Sequence, residues 1–337
     1  MPMRHCISVL GAGSWGTALA LLIARNGVPT LLWSHRREHA EAMAAERRNA
    51  HYLPHATFPD TLSVTPDLAE AAATASDAVL VAVPSHAFRA TLDLCAPHLQ
   101  PEAGLMWATK GLDRTRGCLL HETAREILGP DRALAVLSGP TFAAEVVAEL
   151  PSAITVGASS EAFGAKIVSW LHNAYFRAYT TDDLIGAQLG GACKNVLAIA
   201  AGISDGLGFG ANARAALITR GLAEMMRLSL ALGARTETLM GLAGVGDLVL
   251  TATDNQSRNR RFGLGVGKGR PREEIHAEIG QEIEGILAAR LIHELAGRKG
   301  VDMPITAQTY RVLYEGLPPE EAVRNLLLRD PKPEWDR

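Results

Sequence analysis

The sequence has no surplus of positive charge and few aromatic residues. Its 337 residues include 33 Lys and Arg against 36 Asp and Glu, a formal net charge of −3, and aromatic side chains make up 5%. Nucleic acids and anionic lipid surfaces attract proteins through clustered positive charge. We therefore expect no nucleic-acid partner, and any anionic ligand must be met by a few local cations.

Cysteine is also scarce, and no CxxC pair is present: the four are Cys6, Cys95, Cys118 and Cys193. This spacing argues against a zinc ribbon or a redox dithiol and is typical of reduced, cytoplasmic thiols. The start, MPMRHCISVLGAG, has an apolar run too short for a signal peptide or a membrane span. Histidine pairs at helical spacing lack an acidic partner in a ligand pattern. We expect a soluble cytoplasmic protein without membrane insertion or a metal site.

Short apolar runs alternate with helical patterns in the first half of the chain. Strands are predicted at 4–10, 30–33, 78–83, 104–108, 134–137 and 154–157, and helices at 14–26, 119–128 and 161–172. This alternation is typical of an α/β fold with a doubly wound, mostly parallel sheet. Beyond it the patterns are helical, at 212–233, 272–279, 284–299, 305–315 and 319–328, with one brief strand run at 248–251.

A glycine-rich motif lies between the first predicted strand and helix. Gly11-Ala12-Gly13-Ser14-Trp15-Gly16 is a GxGxxG sequence. In a dinucleotide-binding turn Gly11 allows the tight turn, Gly13 admits the pyrophosphate, and Gly16 lets helix and strand pack closely, while helix amides bind the phosphates. We predict a Rossmann-type domain over 1–186, an all-helical substrate-binding domain over 187–330 and a tail over 331–337.

The second predicted strand ends in Trp33-Ser34-His35-Arg36-Arg37. An NAD-specific site usually places a carboxylate here on the ribose hydroxyls. The cations found instead could bind the 2′-phosphate of NADP. The alternative is that they are solvated charges at the start of a helix.

Polar residues also follow two other predicted strands. Lys110 follows one in WATKG, and Gly139-Pro140-Thr141 follows another in VLSGPTF. Open α/β sheets bind ligands beyond the carboxyl ends of their strands, so both segments are expected at a ligand crevice. A surface cation and an ordinary turn are the alternatives.

Lys194 lies in a stretch of small and apolar residues, GGACKNVLAIAAG. A desolvated amine is costly to bury, and burial shifts its pKa toward neutrality, which suits proton exchange with a carbonyl or alcohol oxygen. The alternative is a helix lysine whose ammonium reaches solvent. Two further features follow along the chain. Asp247 comes directly after a glycine turn. Residues 257–261 (SRNRR) form a polar and cationic cluster that suits a phosphate group, and the alternative is a solvated loop.

These motifs together resemble the bacterial NAD(P)-dependent sn-glycerol-3-phosphate dehydrogenases. The resemblance runs in order through GAGSWGTALA, VPSHAF, WATKGL, SGPTFAAEV, QLGGACKNVLAIAAGISDGLGFGANARAALITRGLAEM, GLAGVGDLVLT, DNQSRNRRFG and MPIT, from residue 7 to about 328. It implies interconversion of glycerol 3-phosphate and dihydroxyacetone phosphate with NADPH or NADH, feeding glycerophospholipid synthesis. The apolar second domain also predicts a homodimer, in which helical surface is shared between subunits.

The resemblance also implies roles for individual residues. Lys194 matches the catalytic lysine, and Lys110, Asp247 and Thr251 line the same polar site. Substrate contacts are implied for Lys110, Gly139, Thr141, Lys194, Asp247, Ser257, Arg258 and Asn259. Cofactor contacts, beyond the three glycines, are implied for Ser14, Trp15, His35, Arg36, Tyr52, Lys110, Ala143, Arg258, Glu282 and Glu284.

Two other functions fit parts of the same sequence. A dehydrogenase of an unphosphorylated 2- or 3-hydroxy acid would share fold and cofactor, but it leaves the cationic cluster around Arg258 without a purpose. A non-catalytic NADPH sensor would use the same glycines, but it leaves Lys194 in its apolar setting unexplained.

Overall fold

The computed structural model describes residues 7–331 and 333–334. The chain divides into two compact units. We call them the sheet unit (Met1–Gly191 and Leu232–Asp247) and the helical unit (Ala192–Ala231 and Leu248–Arg337). The sequence-based assignment of cofactor binding to residues 1–186 and of substrate binding to residues 187–330 stays a prediction.

The sheet unit is built on eight strands in the order β3-β2-β1-β4-β5-β6-β7-β8. Neighbouring strands are parallel except β6 and β7, which are antiparallel. The first six positions have the strand order of dinucleotide-binding folds, with a topological switch between β1 and β4. The strands are β1 (Ile7–Leu10), β2 (Thr30–Trp33), β3 (Leu62–Thr65), β4 (Ala78–Val81), β5 (Gly104–Trp107), β6 (Leu134–Ser138), β7 (Ser152–Ala158) and β8 (Phe176–Thr181).

Two apolar clusters cover the two faces of the sheet. Because side chains alternate along a strand, Leu32 of β2 belongs to one cluster while its neighbours Leu31 and Trp33 belong to the other. The helices of this region are α1 (Ser14–Arg25), α2 (Arg37–Glu46), α3 (Leu68–Thr74), α4 (Ser85–Cys95), the 3₁₀ turn Ala96–His98, α5 (Leu120–Leu128), α6 (Ala143–Val147) and α7 (Glu161–Leu171).

The remaining elements are helical. They are α8 (Leu184–Gly206), α9 (Ala211–Ala231), α10 (Thr236–Met240), the π-helical turn Leu242–Gly246, α11 (Asp247–Thr253), α12 (Arg258–Gly267), α13 (Arg272–Ile279), α14 (Glu284–Lys299), α15 (Pro304–Tyr314) and α16 (Pro319–Leu327). The boundary between the units falls inside α8, after Gly191, and inside α11, after Asp247.

The mostly parallel sheet and the helical second half confirm the predicted fold class. The brief strand predicted at 248–251 is wrong, because this apolar run is part of helix α11. Strands β3 and β8 were not predicted. The predicted first strand begins at residue 4, but only its part from Ile7 onward falls within the described residues.

Helix α8 is the one described helix long and apolar enough to cross a membrane by length and composition. Its most apolar window is 94% buried inside the protein, as expected for a core helix. Cys193 lies on this helix, and burial raises the pKa of its thiol to about 12.

Candidate functional site

The glycine turn after β1 has the close contacts that its motif predicts. Gly11 has a φ of 120° and its amide donates to the carbonyl of Trp33. A Cβ on Gly16 would lie 1.9 Å from the Gly11 carbonyl oxygen, whereas a Cβ on Gly13 would meet nothing within 4 Å. The first and third glycines are therefore needed for packing, and the second leaves the backbone accessible to a ligand.

The start of helix α1 is suited to an anion. No side chain caps its N-terminus, and helix N-termini carry partial positive charge on their amides. The indole Nε1 of Trp15 is buried, and no hydrogen-bond partner for it is found in the described part of the chain. These features fit the pyrophosphate and a neighbouring polar group of a dinucleotide.

Asn49 supports this turn, and sequence reasoning missed it. Its side-chain amide donates to the carbonyl of Ala12 (3.1 Å) and to the hydroxyl of Thr17 (2.9 Å). Its oxygen lies 3.1 Å from His39 Nε2 and accepts the amide of Tyr52 at 3.4 Å. Nothing in the sequence links position 49 to the glycine motif, because the contact spans 37 residues.

The end of β2 presents cations to solvent. His35, Arg36 and Arg37 are all exposed and directly follow the buried Ser34. Such a group can bind a phosphate without first breaking buried interactions. The placement fits the predicted 2′-phosphate contact of His35 and Arg36.

A second polar cluster in the sheet unit joins the ends of β5 and β6 to the first residue of α11. Lys110 Nζ donates to the Asp247 carboxylate (2.5 Å) and to the Gly139 carbonyl (3.3 Å), and the Thr141 hydroxyl donates to the same carbonyl at 3.4 Å. Gly191 leaves room for the lysine, since a Cβ there would lie 3.2 Å from the Lys110 side chain. Four of the predicted substrate residues are thus brought together.

The helical unit holds the other predicted lysine. Lys194 is 7% exposed, and its Nζ donates to the Thr251 hydroxyl at 2.7 Å. Thr251 lies one turn after Asp247 on α11. A buried primary amine held by a hydroxyl is a suitable proton donor and acceptor.

Asn259 links three segments of the helical unit. Its amide donates to the Asn195 side chain at 2.9 Å, and its oxygen accepts the Gly285 amide at 2.9 Å. A Cβ on Gly285 would lie 2.7 Å from both Asn259 Oδ1 and the Asn195 carbonyl. The residue after the lysine and the start of α14 are therefore held by the segment predicted to bind phosphate.

The remaining predicted residues lie near these clusters along the chain. Ser257 caps α12 by accepting the Arg260 amide at 3.2 Å, and Arg258 donates to Gln281 at 3.2 Å. Glu282 is exposed just before α14, and Glu284 is the first residue of α14. Ala143 is the first residue of α6 and Tyr52 is half-buried after Asn49. Their cofactor roles stay predictions.

Two family models cover most of the chain. The model for the N-terminus of NAD-dependent glycerol-3-phosphate dehydrogenase matches residues 6–164, and the model for the C-terminus of the same enzyme matches residues 183–324. The chain belongs to the NAD-dependent glycerol-3-phosphate dehydrogenase family. The resemblance drawn from the motifs is thereby confirmed.

Relatives within the NAD-dependent glycerol-3-phosphate dehydrogenase family match along nearly their whole length. The glycerol-3-phosphate dehydrogenase [NAD(P)+] of Nitrosococcus oceani is 55% identical over 97% of this chain and 95% of its own. That of Aeromonas hydrophila is 54% identical over 99% and 100%. A crystal structure of glycerol-3-phosphate dehydrogenase from Coxiella burnetii has a TM-score of 0.93 at 48% identity, covering 97% of this chain and 100% of that one.

Proposed function

We propose that the protein interconverts sn-glycerol 3-phosphate and dihydroxyacetone phosphate by hydride transfer with NADPH or NADH. The observation that carries this proposal is the arrangement in the helical unit. A buried lysine donates to Thr251, and the next residue, Asn195, accepts a hydrogen bond from Asn259. The proposed acid/base group and the segment proposed to bind phosphate are thus connected through adjoining residues.

The glycine turn would hold the dinucleotide phosphates on the amides at the start of α1, with Gly13 leaving the approach clear. His35 and Arg36 would bind the 2′-phosphate of NADPH. Trp15, Tyr52, Ala143, Arg258, Glu282 and Glu284 complete the proposed cofactor contacts. The nicotinamide, when bound, supplies or accepts the hydride at C2 of the substrate.

Lys194 would give a proton to the C2 oxygen during reduction and take it back during oxidation. Its ammonium has three N–H groups, and one is directed at Thr251. This bond fixes the direction in which the amine points. Burial strengthens the interaction with a developing alkoxide because little water screens it.

Lys110 and Asp247 would orient the substrate's oxygens. Asp247 is fully buried and holds the Lys110 ammonium, so the pair carries no net charge. Gly139 and Thr141 would contribute further polar contacts. Ser257, Arg258 and Asn259 would bind the phosphate, with the Arg258 guanidinium supplying the positive charge.

A lysine substitution tests the proposal. Lys194→Met keeps an unbranched apolar side chain but removes the amine that carries the proton, so NADPH should still bind while turnover with dihydroxyacetone phosphate falls at least about 10³-fold. Lys268→Met, at an exposed lysine after α12, is the matched control and should keep full activity. The decrease in absorbance of NADPH measures turnover, and NADPH fluorescence measures binding.

The same assay separates the alternatives. An enzyme for unphosphorylated hydroxy acids would show no preference for dihydroxyacetone phosphate over dihydroxyacetone. A sensor would bind NADPH and oxidise it with neither compound. Substantial turnover by the Lys194→Met variant would remove Lys194 from the proposed mechanism.

We also propose a cytoplasmic homodimer that feeds glycerophospholipid synthesis. Large apolar side chains of the helical unit are exposed, among them Leu327 at 79% and Leu328 at 75%. Exposed apolar groups of this size are typical of surfaces that a partner covers. Light scattering after size-exclusion chromatography measures the mass, and a monomer at micromolar concentration would contradict the dimer.

A further inference from the structure

In the helical unit, the second half of α8 and helix α12 are in contact through their backbones. Each has two glycines one turn apart, Gly202 and Gly206 on α8 and Gly263 and Gly267 on α12. A Cβ on Gly202 would lie 2.1 Å from the Arg260 carbonyl oxygen, and one on Gly263 would lie 2.1 Å from that of Ile199. Small residues four apart let helix backbones approach this closely. The same smooth surfaces provide few interlocking side chains to fix how far one helix slides along the other.

Arg260 fixes the position of α12 along α8. It precedes Gly263 by one turn on α12, is only 8% exposed, and forms an ion pair with Asp205 at the end of α8. Its Nε donates to the Ala252 carbonyl of α11 at 3.1 Å, and its guanidinium also donates to the Asn255 side chain. One planar group therefore connects α8, α11 and the loop before α12.

Asp205 is itself held in place from a second direction. Arg214 of α9 donates to both of its carboxylate oxygens, at 2.9 and 3.0 Å. The carboxylate is mostly buried, with 8% of its side chain exposed. A buried ion pair is maintained only when its geometry and hydrogen bonds are nearly complete, so this network resists sliding of α12.

The two helices carry the two parts of the proposed chemistry. Lys194 and Asn195 lie on α8, whereas Arg258 and Asn259 begin α12. Because helices are stiff, the register of α12 on α8 determines how far the Arg258 guanidinium lies from the Lys194 amine. Two bonds from the start of α12 hold this register, one from Asn259 to Asn195 near the middle of α8 and one from Arg260 to Asp205 near the end of α8.

We propose that Arg260, through its ion pair with Asp205, is a positioning residue that sets the separation between the phosphate-binding Arg258 and the proton donor Lys194. This role rests on the proposed function. It differs from direct phosphate binding, which the sequence cluster suggested for all of residues 257–261, because the guanidinium of Arg260 is buried and engaged with protein groups.

The test compares two substrates in the same enzyme preparation. A displaced Arg258 weakens reduction of dihydroxyacetone phosphate but leaves the slow reduction of dihydroxyacetone, which has no phosphate, nearly unchanged. The ratio of the two kcat/KM values does not depend on how much of the preparation is folded. Loss of stability alone would lower both values in proportion and leave the ratio as it was.

Arg260→Lys keeps the charge but loses the planar group that reaches three partners, and Asp205→Asn weakens the same bond from the other side. We expect the ratio to fall at least about tenfold in Arg260→Lys and by a smaller factor in Asp205→Asn, since displacements of about 1 Å cost this much or more. Arg270→Lys is the control, at an exposed arginine paired with Glu278.

A ratio within about twofold of wild type in both variants would overturn the positioning role while leaving the proposed function intact. A wild-type enzyme that does not prefer dihydroxyacetone phosphate would overturn the proposed function, and the role of Arg260 with it. If Arg260→Lys yields no folded protein, the Asp205→Asn variant decides between these outcomes.

Discussion

Lys110 and Asp247 are separated by 137 residues, yet the lysine Nζ lies 2.5 Å from a carboxylate oxygen of the aspartate. The aspartate is fully buried and the lysine side chain is 15% exposed. Taking two charges out of water is costly, and each partner compensates the other. Such a pair is therefore sensitive to removal of either charge.

Asp247→Asn should lower kcat/KM for dihydroxyacetone phosphate at least about 100-fold, because the Lys110 ammonium loses its counterion and its fixed direction. Steady-state kinetics measure this change. The matched control is Asp77→Asn, which removes a more exposed ion pair with Lys166 and should change kcat/KM less than about twofold. Equal losses in both variants would contradict a special role for the Lys110–Asp247 pair.

The glycine turn predicts different results at two positions. Gly13→Ala places its methyl in open space, so the melting temperature should stay near that of wild type while NADPH binding weakens at least about tenfold. Gly16→Ala places a methyl against the Gly11 carbonyl and should lower the melting temperature as well. Calorimetry and NADPH titration measure the two effects. Wild-type affinity in Gly13→Ala would show that the dinucleotide does not approach this turn.

Arg36→Ala should weaken the use of NADPH selectively. An arginine–phosphate hydrogen bond contributes about 1.5–3 kcal/mol, so KM for NADPH should rise about tenfold or more, while KM for NADH, which lacks the 2′-phosphate, changes less than about twofold. Arg125→Ala, at an exposed arginine of α5, serves as control. Equal effects on both cofactors would assign Arg36 to a contact common to them.

Glu224 should make stability depend on pH near neutrality. Burial raises the pKa of this carboxyl to about 7, although it accepts hydrogen bonds from Thr306 and the Ile305 amide. The folded state thus holds a proton more tightly than the unfolded chain does. Below about pH 4.5 the protonated carboxyl contributes its full stabilisation of the folded state, on the order of 3 kcal/mol. This contribution is lost as pH rises through about 7.

Glu224→Gln removes this titration. The melting temperature of the variant, relative to that of wild type, should therefore increase as pH rises from about 5 to about 8. Thermal unfolding followed by circular dichroism at several pH values measures the difference. Glu294→Gln, at a side chain 44% exposed on α14, should follow the wild-type curve. Parallel curves for Glu224→Gln and wild type would contradict the raised pKa.

Most of the fold could be predicted because its elements have strong local patterns. Strand β2 is a continuous apolar run between a glycine and a polar segment, and its observed bounds equal the predicted ones. Strands β3 and β8 lie at the two edges of the sheet, where only one neighbour pairs with them. Their polar and partly exposed residues give a weak pattern. The apolar run 248–251 fits strand and helix equally well by composition, and its place in α11 is decided by tertiary context.

The site could be predicted as a set of residue types but not as a set of partners. An isolated lysine in GGACKNV indicated buried chemistry, but nothing local indicated Thr251, which lies 57 residues further along. The orientation of the Arg260 side chain could not be predicted from the sequence either. Arg258 and Arg260 lie two residues apart at the start of one helix, so at about 100° per residue they point about 200° apart around its axis, into different surroundings.

The backbone contact between α8 and α12 has a consequence for engineering. Exchanging glycine for alanine inside a helix ordinarily gains up to about 1 kcal/mol, and automated stabilisation schemes favour it. At positions 202, 206, 263 and 267 the added methyl would push helices α8 and α12 apart, since its nearest neighbour is a backbone atom at 2.5 Å or less in every case. A thermostable version of this enzyme has to be sought through loops and surface helices, with these four residues left as they are.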